Sequence, residues 1–193
     1  MAFRDKHGYL NNRAMLKDEI IKHKEKESIQ QADISKTEAL LNFSRAMNEL
    51  KQAKILFEAS YKEKVKQELN LLPDDTFYSG AIAHAYYAIF FGTKALLLTA
   101  GIKTKSPNIH KATLDAFAHY FIINGKLDVK LLQLYETSLI KADSLLGLLV
   151  QEQDKRGMFT YRQLPQSNKE PAQESIEHAR AFLTHIEKLI AQE

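Results

Sequence analysis

His110 stands nine residues beyond Gly101, in a loop, KTKSPNIHK, that also carries Lys103, Lys105 and Lys111. Lysine holds phosphate as a point charge, and histidine moves a proton near neutral pH. The loop leads into an apolar helix, whose free N-terminal amides and dipole also favour an anion. A solvated basic loop with a structural histidine fits the same residues. A second stretch, KRGMFTYR, sets Arg156 and Arg162 around Phe159 and Tyr161, giving charge for phosphate and rings for base stacking. A long loop of mixed composition fits it too. The third feature is the pair Tyr86 and Tyr87. Adjacent helical residues point about 100° apart, so one ring packs in the core and the other faces a neighbouring helix or a groove. Plain amphipathic packing competes with a binding role for both.

Other chemistries are excluded by what is missing. There is no phosphate-cradling glycine loop, no nucleophile elbow and no zinc-protease helix. None of the 7 histidines has a second one four residues away, so no metal site and no cofactor is expected. With 0 cysteines, disulfides, thiolate ligands and a cysteine nucleophile are ruled out. No signal-like apolar stretch opens the chain, and the apolar run 81–100 is interrupted by His84, the tyrosines and Lys94. A cytoplasmic protein without membrane partners is the expectation. The net charge of +3 permits a basic patch without announcing nucleic acid.

These residues need a scaffold, and the periodicity is helical almost throughout, with no alternating strand pattern. Residues 1–34 read as an N-terminal arm, helical or partly ordered. Ala14, Ile20 and Ile21 supply one weak face, and HKEKESIQQ looks too polar for a core. Residues 35–193 read as an all-α, antiparallel up-and-down bundle of about five helices. Ser35 and Glu38 form a capping box before the stripe Leu40, Phe43, Met47, Leu50, Ala53 and Phe57. A central, mostly apolar helix begins near residues 74–76 and stops at Gly101 in a left-handed conformation. Ser106 and Pro107 open the next helix, with Ile109, Leu114, Phe117 and Phe121 inside, and Asp128 caps another. Residues 151–169 read as the longest loop, and Pro171 starts a closing helix striped by Ala172, Ile176, Ala179, Leu183, Ile186 and Ile190.

Taken in order, the first amphipathic helix, AYYAIF with its following KALL, the glycine, the histidine of the next helix and the closing EHARAFL resemble the HEPN family over about residues 35–190. The resemblance implies a helical bundle, usually a homodimer, often paired with a minimal nucleotidyltransferase, and associated with nucleotides or RNA. Many members are metal-independent RNases that act as toxins or antiviral effectors. They carry an arginine, four to six residues, then a histidine. Here the matching place is Arg156 to Tyr161, with tyrosine where histidine would stand. Tyrosine, with an ordinary pKa near 10, is a poor base at neutral pH. The resemblance therefore implies a nucleotide-, RNA- or partner-binding domain using Lys103, Lys105, Lys111, Arg156, Arg162 and Tyr86. The rival is an endoribonuclease in which Arg156 and Tyr161 act with His110 or His84 as base; a third reading is a pure interaction module. The literal string from Arg180 to His185 lies inside the closing helix, where five residues rotate the second side chain about 140° from the first, and reads as coincidence.

Overall fold

The computed structural model describes residues 13–154 and 168–191. Seven helices appear among them: α1 (Arg13–Glu25), α2 (Lys36–Tyr61), α3 (Glu63–Glu68), α4 (Tyr78–Thr99), α5 (Ile109–Phe117), α6 (Val129–Asp154) and α7 (Lys169–Ile190). A π-helical turn, Ala118–Ile122, continues α5. The all-α bundle expected from the periodicity is the observed architecture. Two short strands, β1 (Ile29–Gln31) and β2 (Ile102–Thr104), pair antiparallel with Ile29 opposite Thr104. Their absence from the sequence reading has a simple cause, since three residues are too few to show alternation.

α4 is the axis of the bundle. It packs on α2, α7, α6 and α5, and Ala81, Ile82, Ala85, Ile89, Ala95, Leu96 and Leu97 are all buried. Its 22 residues have the length and hydropathy of a membrane span, and most of that apolar surface lies inside the protein. Gly92 sets the approach of α7: a Cβ there would lie 2.5 Å from Leu183 Cδ2 and 3.9 Å from Ala46 Cβ. At Gly101 φ is +69°, and a Cβ would meet the Ala32 carbonyl oxygen at 2.9 Å. The left-handed stop therefore also brings β2 against β1.

The closing helix follows its pattern, with all six stripe residues buried along with Phe182. α2 is rotated from the expected stripe. Its closest seam is Ala39, Ala46, Leu50 and Ala53, while Phe43, Met47 and Phe57 are partly buried and Leu40 is exposed. Small residues let the α2 and α4 backbones approach, so the bulky ones flank the seam. The Ser35 oxygen accepts the Glu38 amide at 3.2 Å, but the Glu38 carboxylate accepts from Lys103 at 2.7 Å, so only half of the capping box forms.

The helix after the basic loop starts later than Ser106 and Pro107 suggest. Asn108, at φ +59°, is the residue before α5. Asparagine tolerates this left-handed conformation, which the backbone cannot carry into a helix.

Residues 13–31 pack on the bundle. Leu16, Ile20 and His23 form the buried face of α1, whereas Ala14 and Ile21 are exposed. Within HKEKESIQQ, His23, Ser28 and Ile29 are buried. The polar look of this run is misleading because its buried polar groups have partners across the fold.

Candidate functional site

Tyr86 and Tyr87 diverge on α4 as the helical geometry requires. Tyr86 is buried, its ring 6.3 Å from that of Tyr135 on α6. Tyr87 is half-buried and stacked along Phe91 at 6.4 Å. Both line a cleft of about 660 Å³ closed by Ser106, Asn108 and His110 ahead of and within α5, and by Leu139 and Asp143 on α6.

The floor of this cleft is a hydrogen bond of 2.7 Å between Tyr86 Oη and His110 Nδ1. Phe90 lies under the imidazole, ring centres 4.6 Å apart. Burial pushes the Tyr86 hydroxyl well above its ordinary range, and the charge of Asp143 adds to this. Burial pushes His110 below its ordinary value; Asp143 pulls it back, and Lys94 pushes it further down. At neutral pH the pair is therefore a protonated tyrosine and a neutral imidazole. Two arrangements share that bond. Tyrosine donates to Nδ1 and leaves Nε2–H as a donor, or Nδ1–H donates to tyrosine and leaves Nε2 a free lone pair.

The basic loop is divided by its partners. Lys103 is held by Glu38, and Lys105, exposed, bonds through its amide to the Ser28 carbonyl oxygen. Lys111 donates to Glu19 at 2.5 Å and to Asp115 at 2.6 Å. Those two bonds together outweigh burial and raise its pKa. Lys111 lines the cleft, but its ammonium is committed to the α1 side. The same Asp115 oxygen meets His23 Nε2 at 2.9 Å, and His23 Nδ1 meets Ser28 Oγ at 2.8 Å.

Serine, histidine and aspartate in line have the composition of a hydrolase triad. Here Ser28 is 1% exposed and donates to the His23 carbonyl oxygen, so no substrate reaches it. Ligand atoms of Glu19, His23 and Asp115 also lie within 4.8 Å of one another, a spacing suited to a metal. The positive charge at that point is the Lys111 ammonium. This network joins α1 and β1 to α5, the helix that carries His110.

Of the residues singled out in the sequence, Tyr86, His110 and Lys111 thus come together at the cleft, while Lys103 and Lys105 lie on or after β2. His84 does not line the cleft; it bonds Glu49 on α2 at 2.6 Å. Arg156, Tyr161 and Arg162 lie outside the described residues. Arg180 and His185, the ends of the other string, are both exposed in the middle of α7, and His185 bonds the Ala181 carbonyl oxygen at 2.8 Å. Asn108, Asp143 and Lys94 were missed. Asn108 and Asp143 reach the cleft only through a left-handed turn and the packing of α6, which no local pattern announces.

Comparison with known proteins places this geometry in context. The chain is 38% identical over 71 residues to the "Putative toxin MJ0142" of Methanocaldococcus jannaschii, and 40% identical over 58 residues to the "Putative toxin MJ0605" of the same organism. These matches cover 37% and 30% of this chain, and it spans less than half of each relative, 46% and 41%. It is 31% identical to a UPF0332 protein of Thermotoga maritima over 120 residues, 62% of this chain and 77% of that protein. No family model and no solved structure matches the chain. The Thermotoga match, extending over more than two thirds of a relative, shows that the chain belongs to the UPF0332 protein family.

Proposed function

We propose that this chain is a HEPN-like, toxin-related domain that binds single-stranded RNA in the cleft between α4, α5 and α6. The observation that supports this best is the hydrogen bond between His110 and buried Tyr86, beside half-buried Tyr87. A half-exposed tyrosine offers a face for a base, and an imidazole edge offers a contact to phosphate or ribose hydroxyl. The toxin names of the two Methanocaldococcus jannaschii relatives agree with such a role, and so does the HEPN resemblance. The homodimer and a nucleotidyltransferase partner belong to the same proposal, checked by sedimentation and by co-purification.

A second reading, a metal-independent endoribonuclease, is favoured by the depressed pKa of His110. A neutral histidine is what a base taking a ribose 2′-proton must be. One experiment separates the two. Labelled single-stranded RNA is incubated with wild type and with His110→Ala in the presence of chelator, and both mobility shift and cleavage are scored. A shift without cleavage, weakened in the variant, supports the binding domain. Cleavage lost with His110 supports the nuclease. The absence of both in wild type overturns both.

A further inference from the structure

Among the half-buried residues of α4, Gly80, Ala83, Tyr87 and Lys94 are spaced three, four and seven residues apart. That spacing keeps them on one side of the helix. Tyr87 lies in the cleft, and Lys94 sits two turns further on, about 10 Å along the axis. The Lys94 ammonium is 5.7 Å from the centre of the Phe90 ring, which also neighbours His110 and Tyr87. Two more cations stand near it, and each has a carboxylate of its own. Lys103 bonds Glu38 at 2.7 Å, and Arg45 lies 3.8 Å from Glu49 with its guanidinium 3.9 Å over Phe91. Among the described residues, no carboxylate lies within ion-pair distance of Lys94.

A half-buried ammonium without a counter-ion, flanked by two other cations, favours an anion. Burial, with the charges of Lys103 and Arg45, pushes its pKa down against the pull of Glu38. A bound phosphate reverses that repulsion. We propose that Lys94 anchors a phosphate of single-stranded RNA whose neighbouring base lies over Tyr87, so that the strand reaches His110 along this half-buried stripe of α4. The inference rests on the RNA-binding reading above and names the path the strand takes. It moves the phosphate contact from the basic loop, where Lys103 and Lys111 are already paired, to the helix.

The test is anisotropy of a fluorescent single-stranded RNA 12-mer titrated with the full chain at several salt concentrations. The variants are Lys94→Gln, Lys94→Arg and, as a surface control, Lys64→Gln on α3. One charge-assisted phosphate contact predicts about tenfold weaker binding for Lys94→Gln and near-wild-type binding for Lys94→Arg. The salt slope should shrink by about 0.7, the value for one phosphate on a single strand. Melting temperature should stay within about 4 °C of wild type, since the exchange removes no core side chain. Should the glutamine variant be unstable, Lys94→Met keeps the stem against Phe90 and must show the same loss of affinity. Wild-type affinity and slope in both neutral variants would overturn the Lys94 inference and leave the RNA reading standing. No binding by wild type would overturn the RNA reading and this inference with it.

Discussion

Replacing Asp115 with alanine should unfasten α1 and β1 from α5. The carboxylate is fully buried and joins His23 at 2.9 Å and Lys111 at 2.6 Å. Lys111 is 45% exposed and keeps Glu19, so its share of the loss is that of a solvated ion pair, about 1 kcal/mol at most. His23 has no such escape. Its ring is 7% exposed, and the alanine leaves Nε2 with nothing to meet, at a cost of about 1–3 kcal/mol. Together these give about 1–4 kcal/mol. For a chain of this size that corresponds to a fall in melting temperature of roughly 2–16 °C.

Urea denaturation of wild type, Asp115→Ala, His23→Ala and the double variant measures both the loss and the coupling. The two single variants should be non-additive by about 1–3 kcal/mol, as neighbours sharing one network are. Hydrogen exchange should quicken first in residues 13–31 and at β2. A loss below about 1 kcal/mol, or additivity within about 0.5 kcal/mol, would refute the view that this buried network fastens α1 and β1.

Two further predictions follow from packing and charge. Gly92→Ala places a Cβ 2.5 Å from Leu183 Cδ2, the movable end of a buried leucine. An overpacking cost of about 1–3 kcal/mol, less the roughly 1 kcal/mol that alanine gains in a helix, gives a net loss of about 0–2 kcal/mol. Leu183→Ala in the same chain should relieve the clash, making the pair less than additive in chemical denaturation. The Lys111 and Lys22 ammoniums hold Glu19 at a pKa of about 2, below its ordinary 4.5. A depressed carboxylate contributes stability above its unfolded pKa and loses it as pH falls toward the folded one. Glu19→Gln should therefore flatten the stability curve between about pH 4.5 and 2, by less than the ~1 kcal/mol of a solvated pair; an unchanged acid limb would refute the Glu19 pairing.

The bundle was legible because helical period carries it. Six spaced residues of α7 are buried as their spacing says, and Gly101 stops α4 as its position says. What the sequence hid has two physical origins. One is rotation: the buried seam of α2 is Ala39, Ala46, Leu50 and Ala53, with Phe43, Met47 and Phe57 at its flanks, which apolar spacing alone does not distinguish. The other is long-range pairing. His23 and Glu19 look like solvated polar residues until Asp115 and Lys111, ninety-two positions away, are brought to them, and Ser28 is buried behind the His23 ring. The same effect acts in the basic loop, where a count of lysines cannot show that Lys103 and Lys111 already have carboxylates. His110 is conspicuous in the sequence as a lone histidine behind a helix stop, and Tyr86 as half of a pair whose members must diverge; that the two side chains meet is visible only in the fold.

The direction of the Tyr86–His110 bond decides what the cleft can do. A phenol is a better proton donor than a neutral imidazole, so Tyr86 should donate to Nδ1, placing the ring proton on Nε2. That nitrogen is then a donor suited to a phosphate oxygen, and the tyrosine hydroxyl, with its pKa raised by burial, gives no base of its own. Acid should strengthen the contact. The folded His110 pKa lies below 6.5, so the ring is neutral at pH 7 and gains charge as pH falls through the folded value, tightening RNA binding. Stability changes in the opposite sense: the unfolded chain takes up the proton first, so stability declines as pH drops below 6.5. Nitrogen-15 shifts of the His110 ring at pH 7.5 report the tautomer directly. A proton on Nε2, with RNA affinity rising toward acid, fits the binding domain. A proton on Nδ1 would overturn the assignment of Tyr86 as donor and leave Nε2 free to take a ribose proton, which the nuclease reading requires.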